Sequence, residues 1–167
     1  MIFKRRPHPQ RLDRLTSLVG ELLPEADAHT RELVASIVGL LACVAYADGE
    51  YRASEREGVR RELARVQALS PSAVDAVCAL LDRDIEAIAA GGDQPWAQRI
   101  RDGLEREGRL EVLDALLEIA AADGELSTAE TNFLRRLVPK LGLGQEDYVH
   151  LQSRHRGKLS VLSAATS

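Results

Sequence analysis

The stretch LLACVAYADGEYRASEREGVRREL (Leu40–Leu63) returns without a gap, 75 residues later, as ALLEIAAADGELSTAETNFLRRLV (Ala115–Val138). Nine of the 24 aligned positions are identical, and the polar identities gather at Asp48/Asp123, Gly49/Gly124, Glu50/Glu125 and Glu55/Glu130, then at Arg60/Arg135 and Arg61/Arg136. Each copy reads as an apolar helix, an Ala-Asp-Gly-Glu turn, four variable residues and a glutamate that opens the next helix. Self-similarity of this kind marks a duplicated supersecondary unit that buries its apolar face against its copy. Two such hairpins can pack about a pseudo-twofold axis. The alanines before each turn would let the central helices approach closely, bringing the two acidic turns together.

Helical periodicity extends outward from the repeat. It predicts helices over about 10–23, closed by Pro24, and over about 29–47, apolar nearly all round and therefore central. A third helix is expected over 54–68, and a fourth from Ser70-Pro71, a cap residue followed by the proline favoured in a first turn. Ala90-Gly91-Gly92-Asp93 reads as a linker, with Asp93 capping a short helix that carries Trp96, Ile100 and Leu104 and is broken by Gly108. Helices over 110–122, 128–141 (kinked or stopped by Pro139) and 144–156 follow, then a loose tail from Leu159. No period-two alternation appears. The fold class is all-α, about seven or eight helices in one bundle of two pseudo-symmetric repeats, about 33–76 and 108–150. The expected organisation is a basic arm and first helix over 1–28, a helical domain over 29–157 and a flexible tail over 158–167.

Composition agrees with this class. Apolar residues are 45% and charged residues 29% of 167, an ordinary balance for one compact domain, while aromatics are only 4%. A net charge of −4 argues against a nucleic-acid partner bound through a basic face. The two cysteines, Cys43 and Cys78, exclude a disulfide-rich scaffold and read as reduced core thiols of a cytoplasmic protein. The arm Met1–Arg14 holds Lys4, Arg5, Arg6, Arg11 and Arg14 but no apolar h-region, so no secretory signal is expected. That arm offers weak contact with an anionic membrane, which would make the chain peripheral at the inner membrane face. The apolar run Leu33–Ala47 has 15 residues, short of the roughly 20 that span a bilayer.

The doubled pattern A-x-A-D-G-E-x-x-x-x-E resembles the TerB-like (tellurite resistance protein B) family, most closely over LLEIAAADGELSTAETNFLRRLVPKLGLGQEDY. The likeness covers about 31–156. A related domain precedes the J domain of a DnaJ-like co-chaperone, although no His-Pro-Asp motif occurs here. The resemblance implies a bacterial, cytoplasmic, stress-associated protein, not an enzyme, with a divalent-cation site at the paired acidic motifs. Pro139 departs from the family pattern.

The residues themselves support two readings. Asp, then Gly, then Glu seven residues after the Asp reproduces the second half of a calcium-binding EF-hand loop. The first half is missing: Val44, Tyr46, Ile119 and Ala121 stand where oxygen ligands would be. One turn therefore offers too few ligands for an ion that takes six to eight oxygens. Two turns together could offer Asp48, Glu55, Asp123 and Glu130, helped by Glu50 and Glu125, and such hard oxygens suit Ca²⁺ first, then Mg²⁺ or Mn²⁺. The other reading is a metal-free interaction module. Ser127-x-x-Glu130 is a capping box, in the first copy Ser54-x-x-Glu57 fits that box instead, and Arg60, Arg61, Arg135 or Arg136 neutralise the opposite acids. Either way an unidentified protein partner is implied. A di-metal hydrolase lacks any sign of a substrate pocket or base. His8, His29, His150 and His155 show no metal-binding spacing, and no phosphate loop or nucleophilic triad is present. No organic cofactor is expected.

Overall fold

The computed structural model describes residues 9–124 and 126–165, with side-chain surroundings for 14–124 and 126–155. Among them lie eight helices: α1 (Pro9–Leu22), α2 (Ala28–Ala45), α3 (Ala53–Ala64), α4 (Pro71–Ala90), α5 (Gln94–Gly103), α6 (Arg106–Ala120), α7 (Thr128–Lys140) and α8 (Gln145–Ala165). The described residues contain no strand, so the all-α expectation stands. The repeat governs the helix ends as well as the letters. α2 stops at Ala45 and α6 at Ala120, while α3 starts at Ala53 and α7 at Thr128, each pair 75 residues apart.

α2 sits in the middle and packs against α1, α3, α4, α5, α6 and α7. By length and composition alone it could cross a membrane, yet in the fold its side chains from Leu40 to Ala45 are all buried core. The two hairpins cross reciprocally, α3 on α6 and α7 on α2. The small residues decide how closely. A Cβ at Gly58 of α3 would lie 3.5 Å from Ala122, just past α6. At the aligned positions, Phe133 of α7 and Ala47 after α2 line one cleft. This reciprocity is the pseudo-twofold packing the repeat predicts.

Several boundaries differ from expectation, each for a local reason. Asp93 does not cap α5; its carboxylate takes both oxygens to the Lys140 ammonium, 3.0 Å away on α7. Gly108 lies within the first turn of α6, and the break falls instead at the extended residues Leu104 and Glu105. Pro139 is held inside the last turn of α7 without ending it. Its missing N–H would have served the Arg135 carbonyl, which accepts instead from the Gln145 side chain at 3.2 Å. α3 ends at Ala64, four residues early. α8 runs on through 159–165, where a loose tail was expected, because no proline stops it there. Ser70 caps α4 as predicted, accepting from the Ala73 N–H.

Candidate cation site between the repeated turns

Each turn begins where its central helix runs out. α2 and α6 end two residues before Ala47 and Ala122, and the chain then reverses through Gly49 (φ +82°) and Gly124 (φ +91°). A positive φ at these positions is what glycine supplies without a Cβ penalty. Asp48 Oδ1 accepts from the Glu50 N–H at 3.1 Å, so the aspartate closes its own turn. The next helix then opens with a glutamate folded back on its own start. Glu130 Oε2 accepts from the Ser127 N–H at 2.9 Å while Ser127 Oγ accepts from the Glu130 N–H, a full capping box.

The first copy departs from expectation. Ser54 lies inside α3, so Ser54-x-x-Glu57 is not its box; the residue before the helix is Arg52. Glu55 therefore does the same job as Glu130, with its Oε2 accepting from the Arg52 N–H at 2.9 Å. Arg52 has no side-chain acceptor with which to reciprocate. One oxygen of each glutamate is thus fixed by its own helix, which aims the carboxylates inward.

Those carboxylates meet. One oxygen each from Asp48, Glu55 and Glu130 lies within 4.8 Å of the others, and both glutamates are only 2% exposed. Glu55 Oε1 is fully shielded from solvent and accepts no hydrogen bond from any described group. Burial, with Asp48 and Glu130 nearby, pushes the Glu55 carboxyl up to about 7 against the pull of the Arg52 N–H. Burial likewise raises Glu130, opposed by its Ser127 bonds and reinforced by Asp123 and Asp48. Three acids converging in a dry place is electrostatically costly.

The remaining predicted residues are placed unequally. Asp123 stands across the gap, joined to the first turn through Arg52, whose guanidinium is 3.5 Å from Asp123, 3.7 Å from Asp48 and 2.9 Å from Glu50. Glu50 is largely exposed and points to Arg52. Glu125 lies outside the described residues. The basic group between the turns is therefore Arg52, which the sequence reading missed. Of the four repeat arginines proposed for that place, Arg60 turns to Asp75 on α4 instead. A signal did exist: Arg52 is four residues from Asp48 and occupies the position where the second copy has serine. Elsewhere, Cys43 and Cys78 are free, buried thiols, and burial pushes Cys43 up to about 12, so neither is activated.

A pH dependence follows for the cation-free protein. Glu55, Glu130 and also Glu62 of α3 have folded pKa values raised by burial above their ordinary 4.5. As pH rises from 4.5 toward about 7, the unfolded chain gives up these protons before the folded one does. The folded state binds more protons in that window, so stability falls as pH rises and levels off above it. Thermal melts in chelator should show a lower Tm at pH 7.5 than at pH 5.5, and Glu55→Gln should flatten that slope. A slope unchanged by Glu55→Gln would show that this carboxyl is not strained by burial.

Comparison with known proteins agrees with this architecture. A family model described as tellurite resistance protein TerB matches residues 34–153, both turns included. Searches of curated proteins and of solved structures gave no match.

Proposed function

We propose that this chain, which belongs to the tellurite resistance protein TerB family, is a non-enzymatic helical module that binds a divalent cation between its two repeated turns. In this reading Asp48, Glu55 and Glu130 hold the ion directly, Asp123 joins them from the second turn, and Glu50 and Glu125 act through water. Backbone carbonyls and water complete the shell. All-oxygen donors of uneven reach suit Ca²⁺, which tolerates irregular geometry, better than Mg²⁺, which demands a near-ideal octahedron. The observation that carries the proposal is Glu55 Oε1: a shielded oxygen with no donor, on a carboxylate that meets those of Asp48 and Glu130. A buried charge of that kind needs a positive partner. Tellurite itself is an anion and would be repelled by these acids, so the family name is not read as a ligand.

As a cytoplasmic stress-response module, the protein would act by passing the bound state of the turns to a protein or membrane partner. The site joins α2, α3, α6 and α7, so closing it on an ion tightens both hairpins at once. The metal-free reading rests on a different observation, the use of one oxygen of each glutamate as a cap. Titration decides between them. Calorimetry and thermal melts with Ca²⁺, Mg²⁺ and Mn²⁺ should show binding by the wild type, and at a hundredfold excess over Kd a Tm rise of roughly 5–10 °C. Asp48→Asn/Asp123→Asn should lose most of it. No heat and no Tm change with any of the three ions at millimolar concentration would leave the capping module as the function.

A further inference from the structure

The two turns are copies with one difference that matters electrically. At the residue before the second helix of each hairpin, the second copy has Ser127, which caps its helix, and the first has Arg52, which does not. What Arg52 does instead is reach back over the acids. Its Nε and one terminal nitrogen lie 3.0 and 2.9 Å from Glu50 Oε2, that terminal nitrogen lies 3.7 Å from Asp48 Oδ2, and the other lies 3.5 Å from Asp123 Oδ2. One guanidinium thus spans both turns. Its backbone N–H meanwhile holds Glu55, so the same residue touches the site from two sides.

We infer that Arg52 is a tethered competitor for the cation: it bridges the two turns in the ion-free protein and is displaced when a divalent ion enters. The inference rests on the cation site proposed above and adds how that site is regulated. Three features support it. The contacts to Asp48 and Asp123 are long, beyond ordinary hydrogen-bond length, so they hold by charge more than by directed bonding. The side chain is half exposed, so it can leave without unpacking the core. Its attraction to the acids is of the class that solvent and salt weaken readily, whereas an ion seated at the buried Glu55 and Glu130 is less screened. Arg52 can neutralise the rim but does not supply a donor to Glu55 Oε1. A small divalent ion can neutralise the rim and also coordinate the Glu55 carboxylate directly. On its arrival the Arg52 links to Asp48, Glu50 and Asp123 give way, and the Arg52 guanidinium moves out into solvent.

Arg52→Ser, which installs the residue found in the second copy, should fold normally and bind Ca²⁺ about tenfold more tightly than the wild type at low ionic strength. Arg52→Lys, which keeps the charge, should stay within about twofold of it. Raising the salt should narrow the gap between wild type and Arg52→Ser, because the competing ion pairs are screened. In NMR spectra of the wild type, the Arg52 Nε–Hε resonance should shift on Ca²⁺ addition. If the wild type binds but Arg52→Ser binds no more tightly, the competitor role is wrong and the cation site stands. If the Arg52 resonance stays fixed while Ca²⁺ binds, the displacement is likewise overturned. If neither protein binds, both the site and its regulation fall.

Discussion

Glu55→Gln should make the cation-free protein more stable and at the same time remove its response to Ca²⁺. The two halves come from one local arrangement. In the ion-free state Glu55 is 2% exposed and faces Asp48 and Glu130, and its carboxyl is raised from 4.5 to about 7. Near neutral pH the charged form is therefore held against burial and like charge, a penalty on the order of 2–3 kcal/mol. Glutamine removes that charge. Its amide oxygen still accepts from the Arg52 N–H, as a capping-box glutamine does, and its NH₂ can donate to the neighbouring carboxylates. A Tm increase of roughly 5 °C in chelator is expected. With Ca²⁺ present, one directly coordinating carboxylate is gone, so affinity should fall by more than about a hundredfold. A residue that served only as a cap would give a different result, a small change in Tm and no change in any cation response. A lower Tm for Glu55→Gln in chelator would contradict the account of the buried charge.

How much of this was legible in the sequence depends on whether the deciding contact was local. The repeat was, and it carried more than expected, since its spacing also sets the ends of four helices. The turn glycines and the Ser127–Glu130 box were legible because each involves residues within one turn of backbone. Glu55 was misjudged for a related reason. Ser54 is a better capping residue than Arg52, so local preference placed the box two residues late. The actual helix start is held where the copy in the other repeat has it, a case of tertiary packing overriding propensity. Contacts across the fold were not readable at all. Asp93 looks like a cap until Lys140, 47 residues away, arrives beside it. Arg52 could be tied to Asp48 from spacing, but its reach to Asp123 exists only because the hairpins cross. The arginine pair shared by the two repeats does not mark shared work at the acids: Arg60 pairs with Asp75 on α4, and it is Arg52, with no counterpart in the second copy, that reaches Asp123. His155 shows the same limit: five residues from His150, it offers no pattern, but it is buried between Asp114 and Glu118 of α6, 2.9 and 3.7 Å away.

α2 and α5 make the most extensive helix–helix contact in the bundle, and here a substitution that normally strengthens a helix should weaken the protein. Gly39 lies in the middle of α2, where alanine would ordinarily gain about 1 kcal/mol. A Cβ at Gly39 would lie 2.5–2.6 Å from three ring atoms of Trp96, which is 1% exposed. An indole packed on all sides cannot step aside by an ångström without moving α5. Gly39→Ala should therefore cost about 2 kcal/mol, the overpacking penalty outweighing the propensity gain. Trp96→Ala should cost more, about 3–5 kcal/mol, by opening a large cavity beneath α5. The pair should not add. In Gly39→Ala/Trp96→Ala the methyl group meets a smaller neighbour, so the alanine at 39 should cost little or become favourable, a coupling of about 1–3 kcal/mol in a denaturant-unfolding cycle. Strict additivity would mean that the close approach of α2 to α5 is not what places glycine at position 39. Because α2 also delivers Asp48 to its turn, the same melts run with Ca²⁺ connect packing to function. Gly39→Ala should lower the stability of the ion-free and ion-bound forms alike and leave the Ca²⁺-induced shift intact, since Gly39 lies more than two helical turns from the acids.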